Sequence, residues 1–189
     1  MKDYFNDLKE YVKKHYNLTV KKEIYDNINI NSVLLDLQLE ESTKYIYEHY
    51  KAFEAVWHNV NNRYVGSIDF VPDICLEKEH KELINIMDEC YDVNLDELNI
   101  VEDITHWYPL FYFPNGDAFC LDTRDGTIVF YEHEVYDGEK NLHGLLIATS
   151  INDLYEKWSC FHFTDIYDWS EAVNDEGIDL TCDIIKNCL

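Results

Sequence analysis

The sequence predicts an α+β chain, on three observations. Apolar residues near the start recur at helical spacing. β-Branched and aromatic runs past residue 95 are short and broken by turn residues. A serine at 150 stands where a further helix would be capped.

Tyr4, Phe5, Leu8, Tyr11, Val12 and Tyr16 fall at three- and four-residue steps, which predicts an amphipathic helix with one apolar stripe. The stretch NLTVKKEIYDNININ, from Asn17, fits neither period cleanly. From Leu39 to about Tyr64 a second helix is expected, with Ile46, Tyr50, Phe53, Val56, Trp57 and Val60 as its stripe and Ser42 as its cap. Residues 1–65 are thus expected to form a helical N-terminal region. VGSIDFVP reads as a strand closed by Pro72, which cannot donate to a sheet ladder. Leu76, Leu83, Ile84, Met87 and Tyr91 predict a third helix, with Asp73 near its cap.

Four runs follow that read as strands: LNIVEDIT, WYPLFYF, DAFCLD and TIVFYEHE. The last three are separated by Asn115-Gly116 and Asp125-Gly126, steps that supply the positive φ of tight hairpins, so they predict an antiparallel meander. After a polar loop and the apolar LLIATS, Ser150 precedes Ile151, Leu154, Tyr155 and Trp158 at helical spacing. Residues 161–189 are acidic yet carry Phe163, Ile166, Trp169, Val173, Leu180 and Ile184, so this extension is expected to dock on the rest. No linker or repeat divides the 189 residues, and one domain is expected.

Fifteen Lys and Arg stand against 38 Asp and Glu, a formal charge of −23. Such a field repels phosphate backbones and speeds the encounter with a basic protein, so direct nucleic-acid binding is not expected. The N-terminal charges break up any signal-peptide core, and no apolar run is long enough to span a bilayer. The six cysteines form no C-x-x-C pair and read as reduced thiols in a cytoplasmic protein.

The stretch from Tyr112 to Glu134 is the first candidate for chemistry. With Gly126 at the sixth place of a calcium loop, Glu132 falls at the twelfth, but Leu121 takes the first ligand position and the flanks read as strands. Zinc binding by YEHEVYD, with His106, His143 and His162 nearby, lacks a helical H-E-x-x-H. In a strand Glu132 and Glu134 face away from His133. A nucleophile elbow and a phosphate-binding glycine loop are both missing from the sequence. Asp122 and Asp125 would serve as an acid–base pair only if they were free of their turns. No catalytic, metal or cofactor residues are assigned.

The order of motifs resembles the SUKH superfamily. Gly116, Asp117, Phe119, Cys120, Leu121 and Asp122 match its core. Asp125 and Gly126 match its turn. Val129, Phe130, Glu132, His133 and Glu134 match its acid-flanked strand, and Ala148, Ser150, Ile151 and Leu154 its helix start. The resemblance covers residues 66–160. Upstream the chain lacks the usual Leu-Pro and helix-ending Asn-Gly, and its tail after Trp158 is longer. The resemblance implies a single, mostly antiparallel sheet with helices packed around it. It also implies a non-catalytic bacterial immunity protein, held in the cytoplasm to block a cognate toxin, often a nuclease. An adaptor of the same superfamily is the alternative, and a metal-dependent hydrolase a more distant one. The expected partner-binding residues are outward acids on or beside the meander, Glu132, Glu134, Asp137 and Glu139, and the tail acids Asp165, Asp168, Glu171, Asp175 and Glu176.

Overall fold

A computed structural model describes residues 2–90, 103–133 and 142–183. Seven strands run in chain order across one antiparallel sheet: β1 (Asn17–Tyr25), β2 (Tyr50–His58), β3 (Tyr64–Phe70), β4 (Trp107–Tyr112), β5 (Ala118–Asp122), β6 (Ile128–Tyr131) and β7 (Leu146–Ala148). The helices are α1 (Tyr4–His15), α2 (Glu41–His49), α3 (Leu76–Cys90) and α4 (Ile151–Cys160). A small hairpin of β8 (Val173–Asn174) and β9 (Gly177–Ile178) follows. The molecule is α+β, as the residues predict.

The helix α1 begins where Asp3 accepts a hydrogen bond from the Asn6 amide, and it buries Tyr4, Phe5, Leu8 and Val12. Phe5 stacks on Phe53 at 4.4 Å and meets Tyr50, Phe70 and Phe111 edge-on. Ser150 caps α4 through the Asp153 amide, and Ile151, Leu154, Tyr155 and Trp158 enter the same core. Phe161, Phe163, Ile166 and Trp169 fill it out, so residues 161–169 contribute to the main core. Gly177, at φ +89°, brings β9 against β7 so closely that a Cβ there would stand 2.5 Å from the Ile147 carbonyl oxygen.

The other sheet face is covered over β4–β6 by α3. Leu83 packs there with Ile104, Trp107, Ala118, Cys120 and Val129. His80 ties α3 down by donating from Nδ1 to the Trp107 carbonyl at 2.7 Å and stacking on Tyr108. Burial in this second core pushes the Cys120 thiol well above its ordinary range.

The expected helix over 39–64, and with it the wholly helical N-terminal region over residues 1–65, is corrected. The helix ends at His49, and Tyr50–His58 is the strand β2, paired to β1 on one side and β3 on the other. Phe53 and Trp57 are four apart, an even spacing that suits one strand face as well as one helix face. Both are buried with Ala55 between them, whereas Val60, assigned to the stripe, lies 86% exposed in the following turn. Ser42 is not the cap of α2; Glu40 holds that position and makes no capping bond through its side chain. The first nine residues of the ambiguous stretch, Asn17–Tyr25, are β1, an edge strand of the sheet.

Two further corrections concern strand ends. In LNIVEDIT, residues 98–102 lie outside the described residues, and Asp103 and Ile104 are helical, Ile104 being buried in the second core. The run TIVFYEHE is a strand only from Ile128 to Tyr131, so Glu132 and His133 leave the sheet. Pro109 sits inside β4, where a bulge between Pro109 and Phe111 absorbs its missing donor.

Candidate functional site

The hairpin joining β4 to β5 turns at Gly116, φ +95°, and delivers Asp117 to the first position beyond the turn. The Asp117 carboxylate is fully buried and accepts four bonds: from the His133 amide at 2.9 Å, from His133 Nδ1 at 2.7 Å, from Asn115 Nδ2 at 2.6 Å, and from the Tyr167 hydroxyl. A buried charge is tolerated only when it is satisfied in this way.

Tyr167 comes from the turn Ile166–Asp168, whose start is capped by Asp165. Asp165 also accepts a bond from the Tyr64 hydroxyl at 3.1 Å, which links β3 to the tail. Desolvation raises the pKa of Asp165, and repulsion from Asp168 and Asp117 adds to it. Desolvation also raises Asp168. Burial raises the Tyr167 phenol, with its bond to Asp117 and the charge of Glu132 contributing. Glu132 in turn accepts the Leu142 amide at 2.8 Å and so holds the far side of the loop after β6. The fold therefore brings Asp117 and Glu132 within electrostatic reach of Tyr167, and Asp165 and Asp168 within reach of Tyr64, with the His133 imidazole against Asp117.

Of the residues expected from sequence, Asp165 lies near Asp117 and Asp168, and Glu132 near Tyr167. Glu171, Asp175 and Glu176 are exposed on the turn and hairpin that follow. Glu134, Asp137 and Glu139 lie outside the described residues. In the sequence Asp117 is visible only as a motif residue, and Tyr167 and Tyr64 carry no local signal, since their partners lie 50 and 101 residues away in the chain.

Asp122 has a different role from the acid of a catalytic pair. Trp107 Nε1 donates to it at 3.0 Å, and the Arg124 guanidinium grips it while reaching Asp103 at 2.6 Å. Desolvation pulls its pKa upward, but the bonds from Arg124 and Trp107 outweigh this and hold it below the usual range. Asp125 accepts the Thr127 amide and hydroxyl inside its turn. His143, packed near Trp107 and Tyr131, has its pKa lowered by burial.

A further acid has no signal in the sequence. Asp69, on β3 beside the first turns of α3, borders two small adjoining hollows of about 70 and 150 Å³ shared with Tyr112. The residue as a whole is exposed, but its carboxylate is hemmed in by protein. Desolvation, with repulsion from Glu54, raises its pKa to about 6.

Among the described residues no group of three or more His, Cys, Asp or Glu side chains is placed to hold a metal ion, and no helix is long and apolar enough to cross a membrane. Compared with protein-family models, curated proteins and solved structures, the chain matches none.

Proposed function

We propose that this chain is a non-catalytic immunity protein that acts in the cytoplasm, binding a cognate basic toxin of the nuclease type through an acidic surface. The observation that carries the reading is the cluster at the end of the sheet. Asp165 lies within electrostatic reach of the buried Asp117 and of Asp168, and Glu132 within reach of Tyr167, whose hydroxyl donates to Asp117. Asp165 and Asp168 are desolvated, and Asp165 is also repelled by Asp168 and Asp117. A cationic side chain from a partner would relieve that repulsion, and the net charge of −23 would steer such a partner in. An inhibitor of this kind needs a complementary surface and no reacting groups of its own. The order of the SUKH-like motifs supports the same reading, and both motif aspartates, Asp117 and Asp122, have structural work in it.

Co-expression with the product of the adjacent upstream gene tests the proposal. Growth should be rescued, the two proteins should co-purify, and association should slow as salt is raised. A neighbour that is neither toxic nor bound removes the proposal. A bound but harmless neighbour turns the reading to an adaptor.

A further inference from the structure

The segment between β1 and α2 forms one wall of a groove of about 440 Å³ that faces α2. Ile30, Leu34, Leu37 and Leu39 give it an apolar lining, and Leu35 stands at its edge 65% exposed. The segment is held open by specific bonds. Asp73, itself buried, accepts the Asn31 amide at 3.1 Å and the Ser32 hydroxyl, and Ser32 caps the turn Val33–Asp36. At the other end Asn152 of α4 donates to the Gln38 carbonyl at 2.8 Å and accepts the Glu40 amide at 3.0 Å. The amides of Asp26 and Ile28 donate to the carbonyls of His49 and Glu48, which closes the near end. A groove fixed in this way loses little freedom when it is filled.

The charged lining of the groove is one pair, Lys44 and Glu48, and exposed acids neighbour its leucines in the chain. Asp36 stands between Leu35 and Leu37, Glu40 and Glu41 follow Leu39, and Glu48 lies on the α2 wall. The cation on that wall, Lys44, is already paired to Glu48 at 3.5 Å. We infer that this groove is a docking site for a basic amphipathic segment of a partner protein, an apolar face seated on Leu35, Leu37 and Leu39 and flanking Lys or Arg meeting Asp36, Glu40 and Glu41. Apolar anchors ringed by complementary charge are the common form of helix-in-groove recognition. The inference rests on the preceding reading only in taking the partner to be basic, and it places one contact well apart in the sequence from the cluster at Asp117.

The probes are three dye-labelled peptides of equal length: a helix-forming one with a leucine face and a lysine face, one with glutamate for every lysine, and one with serine for every leucine. The leucine–lysine peptide should bind saturably to the full chain and shift the amide signals of Ile30, Leu35, Leu39 and Lys44. Leu35→Ser, at an exposed site that leaves the fold intact by circular dichroism, should weaken it about tenfold, the effect of one lost leucine contact. Glu40→Gln with Glu41→Gln should weaken it and flatten its salt dependence. Equal binding of the serine–lysine peptide, shifts confined to other surfaces, or an unchanged affinity in Leu35→Ser would each overturn the inference. If the chain fails to protect against the neighbouring toxin while the peptide still binds in the groove, the immunity reading falls and the groove stands. If the chain protects and the peptide does not bind, the groove alone falls.

Discussion

The indole of Trp57 lies across Gly66, its partner on the neighbouring strand: a Cβ built on Gly66 would stand 2.6 Å from the Trp57 ring. Both residues are buried, so an added methyl there must displace the packed indole. Gly66→Ala should therefore destabilise the fold by about 2 kcal/mol, the range of an overpacked core. Urea unfolding of the variant checks this, and a midpoint equal to the parent's would show that the indole can shift.

Asp117 joins three separate stretches of the chain through its bonds to Asn115, His133 and Tyr167. Asp117→Ala leaves those donors without their acceptor and should cost about 3 kcal/mol, whereas Tyr167→Phe removes one bond and should cost about 1 kcal/mol. Thermal melts of both variants read the difference. Near-equal losses would mean that Tyr167 carries most of the connection.

Asp69 sets a pH dependence. Its folded-state pKa of about 6 lies above the ordinary 3.8, so the fold holds this proton more tightly than the unfolded chain does. The contribution favours the fold below 3.8 and is lost as pH rises towards about 6. Asp69→Asn should accordingly stabilise the protein above that window, by about 1 kcal/mol once solvent screening of a partly exposed carboxylate is allowed for. Denaturation at about pH 7.5 and about pH 3.5 checks the sign, since the gain should vanish at the lower value.

Asp73 holds the segment that forms the groove wall. Asp73→Ala should cost about 2 kcal/mol, the penalty for unpairing the Asn31 amide and the Ser32 hydroxyl. Hydrogen exchange should accelerate across residues 26–39 more than in β4–β6. A uniform rise through the chain would mean that the segment opens only with the whole fold.

Much of this architecture is written in local residue order. The α1 stripe ends in four buried side chains, the Asn-Gly and Asp-Gly steps turn the β4–β5–β6 meander, and Ser150 caps α4, because helix faces, caps and hairpin turns depend on residues within a few positions of each other. The strand β2 is not legible in this way. Phe53 and Trp57 satisfy both periods, and what makes the segment a strand is hydrogen bonding to β1 and β3, which no window inside it can display. The acids divide along the same line. Composition by itself establishes that the chain is strongly negative, and Glu132 and the tail acids Asp165 and Asp168 are expected from sequence as partner-binding acids. Only the tertiary structure brings Asp165 to Asp117 and Glu132 to Tyr167, a tyrosine 50 residues from Asp117 in the chain, and only it sets Asp73 against Asn31 and Ser32 to shape the groove. Local order determines which backbone a segment prefers. Long-range packing and the need to pair every buried charge decide which side chains meet.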